Sequence, residues 1–162
     1  MSDARVRRFQ ERFAEAIPHN RALGLQMERV EDDRVVARLP WADHLIGNPE
    51  LRAFHGGALS ASMDAICGAS VFVALHQPMR IATLDLRMDY LRPTAPDRDV
   101  ICEATCFRIT EKIAFTRGLA HQGDAADPIA AVTATFMLFR DQGGDLGQHL
   151  RGSSDPASED RS

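Results

Sequence analysis

The sequence predicts an α+β fold in which a curved, six-stranded antiparallel sheet wraps one long central helix, with a further helix at the N-terminus. Three observations carry this expectation. Residues 58–77 form a run that is apolar almost all round, so a helix there needs cover on most sides. Two strand-like segments precede the run and four follow it. The links among the last four are short, as antiparallel neighbours allow, and a curved sheet supplies the apolar surface that a single buried helix requires.

Taken in order, Val6, Phe9, Phe13 and Ile17 recur at three- and four-residue steps and predict an amphipathic helix over residues 3–17, which Pro18 ends or redirects. Residues 23–30 and 34–39 read as strands joined by the polar turn Glu31-Asp32-Asp33. In the second, Val35, Ala37 and Leu39 alternate with Arg34, Val36 and Arg38. Residues 40–54 read as a loop around Gly47-Asn48-Pro49, and His55-Gly56-Gly57 leads into the apolar helix. Beyond Pro78, residues 80–91 place Leu84, Leu86, Met88 and Tyr90 on one face and Thr83, Asp85, Arg87 and Asp89 on the other. Strands over 98–109, 113–122 and 129–140 complete an antiparallel meander. The chain then divides into an N-terminal helical segment (1–22), one domain (23–140) and a flexible polar tail (141–162) rich in Gly, Ser and Asp.

Composition narrows the function classes. At 162 residues, 44% hydrophobic and 26% charged, the chain is an ordinary single globular domain. Its net charge of -4 gives no attraction to a phosphate backbone, and Glu11 interrupts the cluster Arg5, Arg7, Arg8 and Arg12, so nucleic-acid binding is not expected. Cys67, Cys102 and Cys106 are odd in number and lack a Cys-x-x-Cys pair, which disfavours a disulfide framework or a structural zinc site. A reducing, cytoplasmic location is expected. No apolar leader-like run stands at the N-terminus, and the apolar run at 58–75 carries Ser60, Ser62, Asp64 and Ser70. An intramembrane carboxylate is expensive, so no membrane association is expected.

Asp64 is the only formally charged residue between His55 and His76. A carboxylate in an apolar helix carries a desolvation cost unless it is paired, and burial makes it a better base. The bland alternative is a structural Asp bonded to a neighbour. Gly56 and Gly57 let a ligand approach the backbone without a Cβ in the way, and free N–H groups at a helix start can stabilise a developing oxyanion. A plain turn into a helix needs the same glycines. About 10 Å of axial rise separates this start from Asp64 of the same chain. Either Asp64 of a second subunit reaches the carbonyl, or the helix start is not the oxyanion site. His55 could be a base but more often such a histidine caps a helix. Asn48 could donate its amide or simply form the turn, and Thr83 could hold a water. There is no G-x-S-x-G elbow, P-loop, Rossmann fingerprint or H-E-x-x-H motif.

The stretch Phe54-His55-Gly56-Gly57-Ala58-Leu59-Ser60-Ala61-Ser62-Met63-Asp64 resembles the His-Gly-Gly…Asp signature of PaaI-like thioesterases, a hotdog-fold family of the 4-hydroxybenzoyl-CoA thioesterase superfamily. Residues 82–93, the segment Ile113-Ala114-Phe115-Thr116 and residues 131–136 look like that family's later strands. The resemblance implies a hotdog fold, a homodimer joined edge to edge and often a homotetramer, with the active site at the dimer interface. It implies an acyl-CoA thioesterase that needs no cofactor or metal, coenzyme A being part of the substrate. Asp64 would be general base or nucleophile, and the Gly56 N–H, with Gly57 alongside, would polarise the thioester carbonyl of the facing subunit. Thr83 matches a Ser or Thr that places the attacking water. Asn48 matches a family Asn only if the loop before His55 carries one extra residue. The apolar groups Phe54, Leu59 and Met63 would contact the acyl group. Two other readings compete: a non-catalytic acyl-CoA-sensing module, and a hotdog dehydratase. No histidine has an Asp five residues before it, which weighs against the second.

Overall fold

Helix α1 (Asp3–Phe9) runs into a π-helical turn, Gln10–Glu15, and a bend then leads to helix α2 (Pro18–Leu23). The computed structural model describes residues 3–76 and 79–139; the expected polar tail lies outside them. The periodicity over 3–17 predicts one helix, and the structure divides it. Pro18, which has no N–H to leave unpaired, occupies the first turn of α2 and so starts a helix. Gly24 ends α2 with φ 72, the left-handed conformation that glycine adopts without strain. Leu23 therefore closes a helix, and strand β1 (Gln26–Val30) begins later than the hydrophobic pattern suggests. Gln10 ties the π turn to this strand: its Oε1 accepts the Met27 N–H at 2.7 Å and its Nε2 donates to the Leu25 carbonyl at 3.3 Å.

Strand β2 (Arg34–Leu39) follows, then a 3₁₀ turn at Asp43–Leu45 and the short hairpin β3 (Ile46–Asn48) and β4 (Ala53–Phe54). This hairpin lies where the sequence reads only as loop. Helix α3 (Gly56–Leu75) begins two residues before the apolar run. Strands β5 (Arg80–Tyr90), β6 (Val100–Ile109), β7 (Ile113–His121) and β8 (Ala130–Phe139) complete the described residues. The main sheet has the order β1-β2-β6-β7-β8-β5 and is antiparallel throughout. A meander is found over β6-β7-β8, but β5 departs from it by pairing with β8 at the far edge. The residues between β5 and β6 thus make a crossover.

The sheet curves around α3, whose Met63, Ile66, Cys67, Ala69 and Val71 have no exposed surface. The Met, Ile and Val side chains among them contribute about 1.5–3 kcal/mol each on full burial, so this face anchors the fold. They meet Val35, Ala37 and Leu39 of β2, Cys102 and Ala104 of β6, and alternate residues of β7 and β8. Gly118 on β7 makes room for the helix: a Cβ there would stand 2.9 Å from the Met63 methyl. Two serines of this helix are satisfied within it. Ser62 Oγ donates to the Ala58 carbonyl at 2.8 Å and Ser70 Oγ to that of Cys67 at 2.7 Å. The helix is long and apolar enough to cross a membrane by length and composition, but here it is the core of the sheet. Burial pushes the Cys67 and Cys102 thiols up to about 12, so both are neutral packing groups.

A bulge in β5 corrects the face assignment made from alternation. Thr83 pairs with Phe136 but Asp85 pairs with Thr135, leaving Leu84 as an extra residue. Ala130, Val132, Ala134, Phe136 and Leu138 of β8 are all buried, so their partners on β5 share the helix-facing side. Those partners are Tyr90, Met88, Leu86, Thr83 and Ile81. Thr83 and Tyr90 therefore face α3 together, and Leu84 stands 52% exposed.

Candidate active site

The start of α3 is built by the β3–β4 hairpin. Ile46 pairs with Phe54, and the His55 N–H donates to the Leu45 carbonyl at 2.8 Å. Gly47 lies against His55, where a Cβ would stand 2.6 Å from the His55 Cα; no larger residue fits that approach. His55 is the N-cap of α3, and its Nδ1 accepts the Gly57 N–H at 2.8 Å. The Gly57 N–H is thereby committed to the cap, and the Ala58 N–H donates to the His55 carbonyl at 3.0 Å. The Gly56 N–H, first in the helix, has no intrahelical acceptor. Asn48 closes the hairpin loop, its Oδ1 accepting the Leu51 N–H at 2.9 Å, which is the turn role open to it from sequence.

Tyr90, the single tyrosine of the chain, covers Gly56. Its hydroxyl donates to the Gly56 carbonyl at 2.8 Å, and a Cβ on Gly56 would meet that hydroxyl at 3.3 Å. A cleft of about 280 Å³ opens here, bordered by Phe54, Gly56, Leu59, Tyr90 and the segment after β5. Phe54 and Leu59 are thus placed beside the helix start. Met63, expected in the same apolar wall, is not: it is fully buried between α3 and β7 and borders no cleft at this end. Sequence reasoning missed Tyr90 because strict alternation sets it opposite Thr83.

Two turns along α3, Asp64 is half-buried at the mouth of a second cleft of about 450 Å³. Its Oδ1 accepts the Thr83 hydroxyl at 2.9 Å. This hydrogen bond joins two of the predicted site residues through their side chains. Phe13, Ile17, His19 and Asn20 of the N-terminal segment border the same cleft, with Gly68, Phe72, Ile81 and Phe136. Phe13 and Ile17 were invisible as site residues, since their hydrophobic periodicity marks core just as well. Asp64 and Gly56 border different clefts, about 12 Å apart along the helix axis. Among the described residues no group of three His, Cys, Asp or Glu side chains is placed to hold a metal ion.

A family model described as Thioesterase superfamily matches residues 53–129, from the hairpin through α3 to the start of β8. The medium/long-chain acyl-CoA thioesterase YigI of Salmonella typhimurium is 33% identical over 143 residues, which cover 79% of this chain and 90% of YigI. The chain belongs to the thioesterase superfamily. It is a thioester hydrolase with a hotdog fold, α3 being the filling and the six-stranded sheet the wrap. A crystal structure of a Pseudomonas aeruginosa protein is 42% identical, with a TM-score of 0.73, covering 82% of this chain and 97% of that one. A variant of the phenylacetic acid degradation protein PaaI from Thermus thermophilus shares the fold, with a TM-score of 0.65 at 22% identity, covering 75% and 99%.

Proposed function

We propose that the protein hydrolyses acyl-CoA thioesters of medium to long chain, with Asp64 as the acting carboxylate. The observation that carries this reading is the Asp64–Thr83 contact at the mouth of an apolar cleft, in a chain 33% identical to a medium/long-chain acyl-CoA thioesterase. As general base, Asp64 takes a proton from a water that Thr83 helps hold. The water oxygen bonds to the thioester carbonyl carbon, charge passes to the carbonyl oxygen, and the C–S bond then breaks to release the CoA thiolate. As nucleophile, Asp64 attacks that carbon itself, the C–S bond breaks to expel the CoA thiolate, and water then opens the resulting anhydride to the free acid and the Asp64 carboxylate. Neither route draws on a cofactor.

The developing oxyanion needs a donor, and the Gly56 N–H is the candidate. Its separation from Asp64 within one chain supports a site shared by two subunits. So does β5, an eleven-residue edge strand with Leu84 and Tyr90 each more than half exposed, since a long edge is a template for a second copy. Antiparallel pairing of two β5 strands sets the Thr83 end of one beside the Tyr90 end of the other. His55 then serves as the cap that orients the helix start, and Asn48 as the hairpin anchor. Phe54 and Leu59 border the substrate at the Gly56 side. A homodimer, or a tetramer built from two, is the working form on this reading. The buried free thiols suit a reducing cytoplasm.

The test compares wild type with Asp64→Asn on a panel of acyl-CoAs, following release of free CoA thiol. Turnover by wild type that falls about 10²–10⁴-fold in the variant, with the oligomer unchanged, is expected. Equal rates in both proteins would make Asp64 structural. Binding of acyl-CoA by wild type without any turnover would replace the enzyme with a sensing module.

A further inference from the structure

The cleft at Asp64 continues away from the carboxylate along the helix. Asp64, Gly68 and Phe72 recur at steps of four on α3 and so share one face. All three border the cleft. Between the carboxylate and the Phe72 ring, α3 presents only small residues to the cleft, Ala65 and Gly68. A Cβ on Gly68 would come within 3.5 Å of the Phe136 ring and 3.7 Å of Ile81 Cδ1, contacts that fill space without forcing the backbone apart.

The far end of the groove is closed by an aromatic pair. Phe72 is half-buried and meets Phe13 edge to face, with 6.2 Å between ring centroids. Phe13 is itself held in place. It stacks on Phe9 at 5.4 Å, and Asn20 Nδ2 donates to its carbonyl at 3.0 Å. Phe72 is therefore the less constrained partner of the two. Beyond it lies another cleft, of about 490 Å³, bordered by Met79, Arg80 and Phe139. The two clefts share Phe72 and Ile81, so these two side chains stand where the clefts adjoin.

We propose that the first cleft holds the acyl chain and that Phe72 sets the chain length, a proposal that rests on Asp64 being the acting carboxylate. Eight residues of helix separate Asp64 from Phe72, a rise of about 12 Å. With C–C bonds of about 1.5 Å at tetrahedral angles, an extended chain covers that distance in roughly ten carbons. A medium chain thus ends against the ring. A longer chain continues into the second cleft only when the ring turns aside. The N-terminal segment, which supplies Phe13, acts as the wall that keeps the groove closed.

The test is the chain-length profile of kcat/KM for CoA release, measured with C4, C6, C10 and C16 acyl-CoAs on wild type, Phe72→Ala and Gly68→Ala. Phe72→Ala is expected to raise the C16-to-C6 ratio by about tenfold or more, the scale at which one pocket methylene discriminates between substrates. Gly68→Ala adds a methyl against Phe136 and Ile81, two side chains that border the groove, and is expected to lower the C10-to-C4 ratio by a similar factor. Should Phe72→Ala not fold, Phe72→Trp replaces it, with the C16-to-C6 ratio expected to fall. Ratios that stay within about twofold of wild type in folded, active variants would overturn the assignment of the groove while leaving Asp64 untouched. A failure of the Asp64 reading is seen separately, as undiminished turnover by Asp64→Asn with any chain.

Discussion

At the residue scale, the site turns on how one carboxylate is held. Asp64 is neither fully buried nor free: it sits at a cleft mouth with one oxygen on the Thr83 hydroxyl. A hydrogen bond to a charged group is worth about 1.5–3 kcal/mol, enough to fix the carboxylate in one rotamer. Thr83→Val removes the donor and keeps the shape. A fall in kcat of about tenfold, with KM little changed and with Thr83→Ser restoring the rate, is the expected outcome in steady-state kinetics. A KM effect alone would assign Thr83 to substrate contact. His55 shows the opposite division of labour. Its ring nitrogen is occupied with the Gly57 N–H, so it shapes the helix start, and one of the two glycine N–H groups is no longer available to a substrate.

At the element scale, two irregularities position everything else. The Leu84 bulge shifts β5 by one residue, and that shift turns Thr83 toward Asp64 while Tyr90 still reaches Gly56. Without it, a strand of period two sends one of them to the outer face. The other irregularity is the β3–β4 hairpin, which presses Gly47 against His55. Gly47→Ala would bring its methyl to 2.6 Å from the His55 Cα. Overpacking of this kind costs about 1–3 kcal/mol. A lower denaturation midpoint with an unchanged m-value, measured in urea, is the expected result; an unchanged midpoint would mean that the hairpin yields freely. The bulge and the hairpin account for most of what alternation and turn signals missed. Neither leaves a pattern of period two or 3.6, because each is a local departure from one.

At the scale of the whole molecule, the sheet has two different edges. β1 is tied to the N-terminal segment through Gln10 and, at its far turn, through the Arg5–Asp32 ion pair at 2.7 Å. Among the described residues, β5 pairs with β8 alone. Leu84→Lys places a charge at the exposed bulge, the device by which natural edge strands resist pairing. Light scattering is expected to show the assembly shifting toward monomer, with activity lost in proportion and the circular dichroism spectrum retained. A monomer with full activity would remove the need for a shared site.

The sequence by itself determined the long apolar helix, the six strands of the main sheet and the spacing of a helix-start glycine from a carboxylate two turns on. These depend on residue type and spacing along one chain, which periodicity reports directly. Only the tertiary structure decided that β5 crosses to the far edge, that Thr83 rather than a backbone group meets Asp64, and that Met63 belongs to the core. It also brought Phe13, from a segment read as a separate amphipathic helix, against Phe72 of α3. The reason is physical: contacts between distant elements are set by sheet order, bulges and packing, and an apolar side chain bordering a cleft carries the same local signal as one in the core.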